Sequence, residues 1–400
     1  MEREKRLPRL LSAAFLVSGM ILFLSGCSRE NVWRETIALT EVGKEREELK
    51  TEVEAESDPE AETVLQIQWE SGETGRVSGM EEGATTGNRE PVLLFGGDIY
   101  LSDHVLRAYD EAGGIGGVLD AELQEIIGKA DLFMANQEFP FSDRGTPAED
   151  KQFTFRLPPE RVSLMQEIGT DLVTIANNHA LDYGSEALSD TCHLLDEAGI
   201  GRVGAGADLD EAKRIEIREI KGKKIGFLGA SRVFPVGSWA AGPSHPGMMS
   251  AYDAAPLLEQ IRQGKEACDY LVLYLHWGIE RNTSPEEYQR QLGRQCIEAG
   301  ADLVIGSHPH VLQGIEYYHG KPILYSLGNF IFGSAIPETM LAEVTLQESG
   351  DVALRLIPAT SGAGYTRCLE TEQYEAFYRK IQELSFDVHI DENGFVYHSP

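Results

Sequence analysis

From Pro91 onward, short apolar runs alternate with stretches of helical period. The segments "PVLLFGGD" (91–98), "DLFMANQEFP" (131–140), "DLVTIANNHALDYG" (171–184), "KKIGFLGA" (223–230), "ACDYLVLYLHWG" (267–278), "DLVIGSHPH" (302–310) and "KPILYSLGNF" (321–330) each carry a near-continuous apolar run. That is the signature of strands buried beneath helices, without the alternation of a half-exposed sheet. Between them, "DAELQEIIGKA" (120–130), "PPERVSLMQEIG" (158–169), "SEALSDTCHLLDEAG" (185–199) and "SPEEYQRQLGRQCIEAG" (284–300) place apolar residues at helical spacing. One has proline in its first turn, and another opens on serine and stops at glycine. "LAEVTLQESGDVALRLIP" (341–358) predicts a hairpin turning at Ser349–Gly350, and "TEQYEAFYRKIQEL" (371–384) a late helix. The pattern predicts an α/β domain over residues 91–335, completed by the hairpin and helix of residues 336–400.

The apolar runs end alike, in polar residues that can hold a metal: Asp98; Asn136 and Glu138; Asn177, Asn178, His179 and Asp182; His276 and Glu280; His308 and His310. Asn329 adds one more. Open α/β sheets place their ligand sites at the carboxyl ends of strands. Carboxylate, amide oxygen and imidazole suit divalent ions such as Mn, Fe or Zn, and the lack of a thiolate argues against a structural zinc site. Singly, each residue has an ordinary explanation. Asp98 fits a turn after Gly96-Gly97, the two asparagines a polar loop, and His276 a core position beside Trp277. Recurrence at five strand ends favours one site. In an extended segment His308 and His310 would face the same way, with Pro309 stiffening the backbone between them.

The ends of the chain change the picture. Arg3, Lys5, Arg6 and Arg9 precede an apolar stretch from Leu10 to Leu24, short for a membrane span but right for a signal-peptide core. "LSGC" then ends on Cys27 and resembles the bacterial lipobox, in which the cysteine is lipidated; a simple secretory signal or an uncleaved anchor is the alternative. Residues 1–27 are therefore expected to be a lipoprotein signal, and 28–90, rich in Glu and poor in aromatics, a disordered acidic tether. The expected location is the extracytoplasmic face of the cell membrane, held there by the lipid anchor. The remaining cysteines, Cys192, Cys268, Cys296 and Cys368, show no paired spacing and are expected to be free thiols. A formal net charge of -30 excludes nucleic-acid binding through the general surface. A polyanion would have to be received locally, with Lys151, Arg156 and Arg281 as the available bases.

Taken in order, "GGD", "ANQEFP", "ANNHALDYG", "LHWGIE", "IGSHPHVLQGIE" and "YSLGNFIF" resemble the CapA family, the bacterial poly-γ-glutamate capsule synthesis proteins, which are similar to calcineurin-like metallophosphoesterases. The resemblance implies a four-layer α-β-β-α sandwich with one or two divalent ions at the strand ends. It implies His276, His308 and Asn178 on one ion, and His310, Asp98 and Glu138 on the other, with Glu138 at the bridging position. His179, held by Asp182, would protonate a leaving group, and Asn136, Arg156, Glu280, Arg281 and Asn329 would meet substrate. One departure stands out: phosphoesterases have Asp-x-His where Asp98-Ile99-Tyr100 stands, and His104 is the nearest substitute. The implied function is a surface lipoprotein of capsule or envelope-polymer synthesis with a metal-dependent hydrolase or transferase site. Its partners would be an anionic polymer such as poly-γ-glutamate and capsule-synthesis membrane proteins. Two alternatives remain: a non-catalytic, metal-containing component that binds or exports polymer, and a phosphoesterase acting on other cell-wall material.

Overall fold

The computed structural model describes residues 90–149, 151–333 and 335–399. The signal segment, the tether and Cys27 lie outside them. The strands run β1 (Val92–Ile99), β2 (Leu132–Gln137), β3 (Leu172–Thr174), β4 (Gly201–Val203), β5 (Ala205–Gly206), β6 (Glu216–Ile220), β7 (Lys223–Ser231), β8 (Gly247–Met248), β9 (Tyr270–His276), β10 (Leu303–Ser307), β11 (Ile315–Tyr318), β12 (Lys321–Leu324), β13 (Asn329–Ile331), β14 (Ala335–Leu346), β15 (Val352–Gly362), β16 (Tyr365–Cys368), β17 (Val388–Ile390) and β18 (Phe395–His398). The helices are α1 (Asp103–Ala112), α2 (Ala121–Lys129), α3 (Val162–Ile168), α4 (Gly184–Glu197), α5 (Leu209–Ala212), α6 (Ala254–Ala267), α7 (Glu287–Ala299) and α8 (Tyr374–Leu384).

The class is α/β, as the alternation predicted. One sheet has the order β17-β18-β15-β14-β1-β2-β3-β4, with β13 also beside β1 and β16 beside β15; a second has the order β11-β12-β10-β9-β7-β6. Successive residues of β1 explain why its run is unbroken. Leu93 and Phe95 join a core shared with Phe227, Val272, Tyr274 and Ile305 of the second sheet. Leu94 points the other way, into a core with Val105, Leu123, Met165 and Leu188 of α1 to α4. The far face of the second sheet is covered likewise: Leu228, Leu273 and Val304 pack with Leu257 and Ile261 of α6 and Leu292 and Cys296 of α7. Full burial of one such side chain contributes about 1.5–3 kcal/mol. The hairpin β14–β15 pairs with β1 antiparallel, so residues 336–400 share the sheet that carries Asp98.

Three helices, α1, α5 and α6, were not among the predicted elements. "KPILYSLGNF", expected as one strand, is two: β12 pairs in the second sheet and β13 in the first. The chain crosses between them, with Gly328 at φ 69°. The four cysteines are free and buried. No helix among the described residues is long and apolar enough to cross a membrane.

Candidate metal centre

Parallel pairing aligns the carboxyl ends of β1, β2 and β3 in one sheet and of β9 and β10 in the other, and the shared core sets the two sheets against each other. "GGD" is not the turn that its composition suggested. β1 runs on through Gly96-Gly97 with a register shift between Phe95 and Asp98. A Cβ on Gly97 would collide with the Gly328 carbonyl oxygen, which accepts the Asp98 N–H at 2.9 Å. The glycine thus allows β13 to approach closely, and Asp98 pairs with both Asn136 and Asn329.

The other five expected ligands gather around Glu138. Its Oε1 lies 3.6 Å from His276 Nε2 and 3.8 Å from His310 Nε2. His276 Nε2 lies 2.7 Å from Asn178 Oδ1. Asp98 Oδ2 accepts the His308 N–H at 3.3 Å and stands 3.3 Å from His310 Nδ1. The His276 and His308 rings are 4.7 Å apart, and the His308 and His310 rings 5.8 Å. Glu138, His308 and His310 each offer a ligand atom within 4.8 Å of the others. The outer nitrogens are held too: His276 Nδ1 faces Ser307 Oγ at 3.1 Å, and His310 Nδ1 faces Asn329 Oδ1 at 2.8 Å. Such contacts fix the ring orientation of a metal-binding histidine.

The residues fit a divalent cation. Glu138 is fully buried, yet neither carboxylate oxygen has a hydrogen-bond partner, and His308 Nδ1 is equally orphaned. Buried polar groups are ordinarily paired. Burial, and then the charge of Asp98, pushes the Glu138 carboxyl well above the usual range. Burial also acts against charge on His310, but Glu138 and Asp98 outweigh it and carry its pKa up to about 10. Burial, and then the neighbouring imidazoles, pushes His276 well down and His308 to about 3. The site therefore demands positive charge and offers neutral imidazoles at His276 and His308.

The rings of the histidine pair converge for a different reason than expected. The segment is not extended: His308 has φ 98° and His310 φ 57°, so the period-two rule does not apply. A sharp turn brings the rings together. Its Pro309 carbonyl accepts the Arg281 N–H at 2.7 Å, and Arg281 itself has φ 62°. Left-handed backbone is rare outside glycine, and its clustering here marks stored strain.

Beside this centre, His179 Nδ1 lies 2.6 Å from Asp182 Oδ2 and 3.0 Å from Lys151 Nζ. Lys151 also pairs with Asp182 Oδ1 and donates to the Asn178 carbonyl. Phe155 stacks on His179 at 4.0 Å and donates its N–H to Asp182 at 2.6 Å. Burial pushes the pKa of His179 down despite Asp182. Lys151, Phe155, His179, Glu280, His310 and Phe332 line a pocket of about 440 Å³.

Several substrate-facing assignments change. Asn136 is fully buried, donating to Asp98 at 2.8 Å and accepting from Asn177 at 2.9 Å, so it positions ligands out of substrate's reach. Asn329 holds His310 and also lines a second pocket beside it. Arg156 lies over the Tyr183 ring and donates to the Arg144 carbonyl. Lys151, expected as a polymer-receiving base, is engaged by His179 and Asp182. Glu280 does line the pocket; Arg281 is exposed next to it. His104 is exposed on α1 and no substitute ligand. In the place of the expected histidine, Tyr100 stacks on Phe155 at 3.9 Å. The Lys151–Phe155 clamp was invisible in sequence, because nothing in "KQFTF" signals its fold onto residues 30 positions later.

Two comparisons bear on this arrangement. The chain is 32% identical over 269 residues to the "PGA biosynthesis protein CapA" of Bacillus subtilis (strain 168), covering 66% of this chain and 70% of that protein. It is 30% identical over 281 residues to the "Capsule biosynthesis protein CapA" of Bacillus anthracis, covering 68% and 67%. Residues 92–334, which hold every expected ligand, match the family described as "Bacterial capsule synthesis protein PGA_cap", and the chain belongs to that family.

Proposed function

We propose that the protein acts in the synthesis or anchoring of poly-γ-glutamate or a related anionic envelope polymer, through a metal-dependent hydrolase or transferase site. The observation that carries the metal reading is the buried, unpartnered Glu138 carboxylate among three imidazoles. The names of the relatives support the polymer. Asp98, Glu138, Asn178, His276, His308 and His310 would hold one or two ions, of Mn, Fe or Zn type by donor chemistry. A bound cation supplies positive charge that polarises the bond under attack and acidifies water. His179 has Nδ1 engaged by Asp182 and Lys151, which leaves Nε2 free to move a proton on the pocket side. Phe155 and Phe332 supply apolar wall to the pocket. In the same reading, Cys27 carries a lipid anchor that places the domain outside the cell membrane.

A second reading is favoured by Tyr100: with the first-motif histidine replaced, the centre would bind metal and polymer without turnover. Metal analysis of purified protein, followed by incubation with poly-γ-glutamate and with phosphoester and cell-wall substrates, tests both. About one equivalent of divalent metal or more, with shortening or transfer of the polymer, is the expected result. Absence of metal refutes the site. Tight metal with polymer bound but unchanged favours the second reading, and turnover of phosphoesters alone points to other cell-wall material.

A further inference from the structure

His310 lines a second pocket. This one, about 280 Å³, is bounded by Thr283, Asn329, Ile336, Glu338 and Lys380, and shares only His310 with the first. Its outer wall comes from residues beyond 334, where the family match ends. Each pocket carries one ammonium and one carboxylate: Lys151 and Glu280 in the first, Lys380 and Glu338 in the second. Lys151 is committed to His179 and Asp182. Among the described residues Lys380 pairs only with Glu338, and those side chains are 46% and 36% exposed. An exposed pair of this kind is weak, so an incoming carboxylate can replace Glu338 on Lys380 at little cost.

We infer that the centre takes the interior of a linear, carboxylate-bearing chain, which lies across His310 with one stretch in each pocket. A compact ligand, or a chain end, would need only one pocket. The inference rests on the polymer reading above, and it assigns chain-length preference to the 335–380 region. The test uses the full-length, Mn-loaded protein and γ-linked glutamate oligomers of two and ten residues, with affinities read by calorimetry. The decamer should bind at least about tenfold more tightly than the dimer, because two linked contacts reinforce each other. Thr283→Trp, which places an indole at the second pocket, and Lys380→Glu, which reverses its cation, should each bring the decamer within about threefold of the dimer. Both positions are exposed, so folding is spared, and bound metal should stay at the wild-type level. Equal affinity for the two oligomers in the wild type, or a decamer advantage that survives both substitutions, overturns the two-pocket inference while sparing the polymer reading. Failure of both oligomers to bind overturns both.

Discussion

Glu138→Gln should outlast the wild type in chelator and fall behind it in metal. The substitution keeps the shape of the side chain and removes a charge that is fully buried, has no hydrogen-bond partner and sits beside Asp98. An uncompensated buried charge costs several kcal/mol, less whatever protonation recovers. Glu138 is also the strongest influence raising His310, so the variant lets His310 lose its proton, with no buried cation left stranded. In chelator the variant should therefore be more stable than the wild type by about 1–3 kcal/mol, or roughly 2–6 °C in Tm. With free metal a thousandfold above Kd, the wild type gains about 4 kcal/mol, and the variant, lacking the central ligand, gains little. Scanning fluorimetry with and without Mn would show the order of the two proteins reverse. If Glu138→Gln lowers Tm equally in chelator and in metal, the carboxylate is a structural group and the argument from its orphaned oxygens fails.

His308→Ala and His310→Ala should both lower bound metal, the latter from the weaker site because Tyr100 replaces a ligand there; equal losses by metal analysis refute the inequality. His179→Asn should leave bound metal unchanged and abolish any polymer turnover, since Nδ1 is held by Asp182 and Lys151 while six other groups gather at the centre; loss of metal would make His179 a ligand. In chelator, Glu138 and His310 both have folded pKa values above their unfolded ones, so their stabilisation is complete below roughly pH 4 and 6.5 respectively and fades as pH rises, for His310 through about 10. Metal binding expels those protons, so the gap in Tm between metal-loaded and chelated protein should widen with pH, and a gap that narrows refutes the sign. Fatty-acid labelling of cells should mark the wild type and spare Cys27→Ala; equal labelling refutes lipidation.

The α/β alternation was legible because these strands are buried on both faces, and burial on both faces writes an unbroken apolar run. Leu93, Leu94 and Phe95 needed no alternation to be read. The same rule misled at "KPILYSLGNF", where apolar continuity spans a crossing between two sheets and only Gly328 hints at the break. α1 escaped notice because only Val105 is fully buried, while Leu106 and Tyr109 pack against the core only in part, among many charged residues. Asn136 was misplaced for a related reason. Sequence shows that an amide sits at a strand end, but not whether that end faces solvent or, as here, is sealed by Asp98 and Asn177.

The ligand types could be read from sequence, but the backbone that aims them could not. Left-handed φ at His308, His310 and Arg281 costs of order 1–3 kcal/mol each, and no residue type there announces it. The turn persists because its surroundings over-determine it. Asp98 Oδ2 accepts the His308 N–H, Pro309 accepts the Arg281 N–H, and Asn329 holds His310. Asp98 therefore has two duties, as a candidate ligand and as the acceptor that holds the strained His308 peptide. The substitution Asp98→Asn keeps one oxygen for the peptide and loses only the charge that metal requires. Asp98→Ala loses both, and adds the cost of a relaxed turn that would carry His308 and His310 away from Glu138. The candidate centre thus depends on the β1–β13 contact at Gly97 as well as on β2, since that close approach and the Asn136 amide together set Asp98 under the turn.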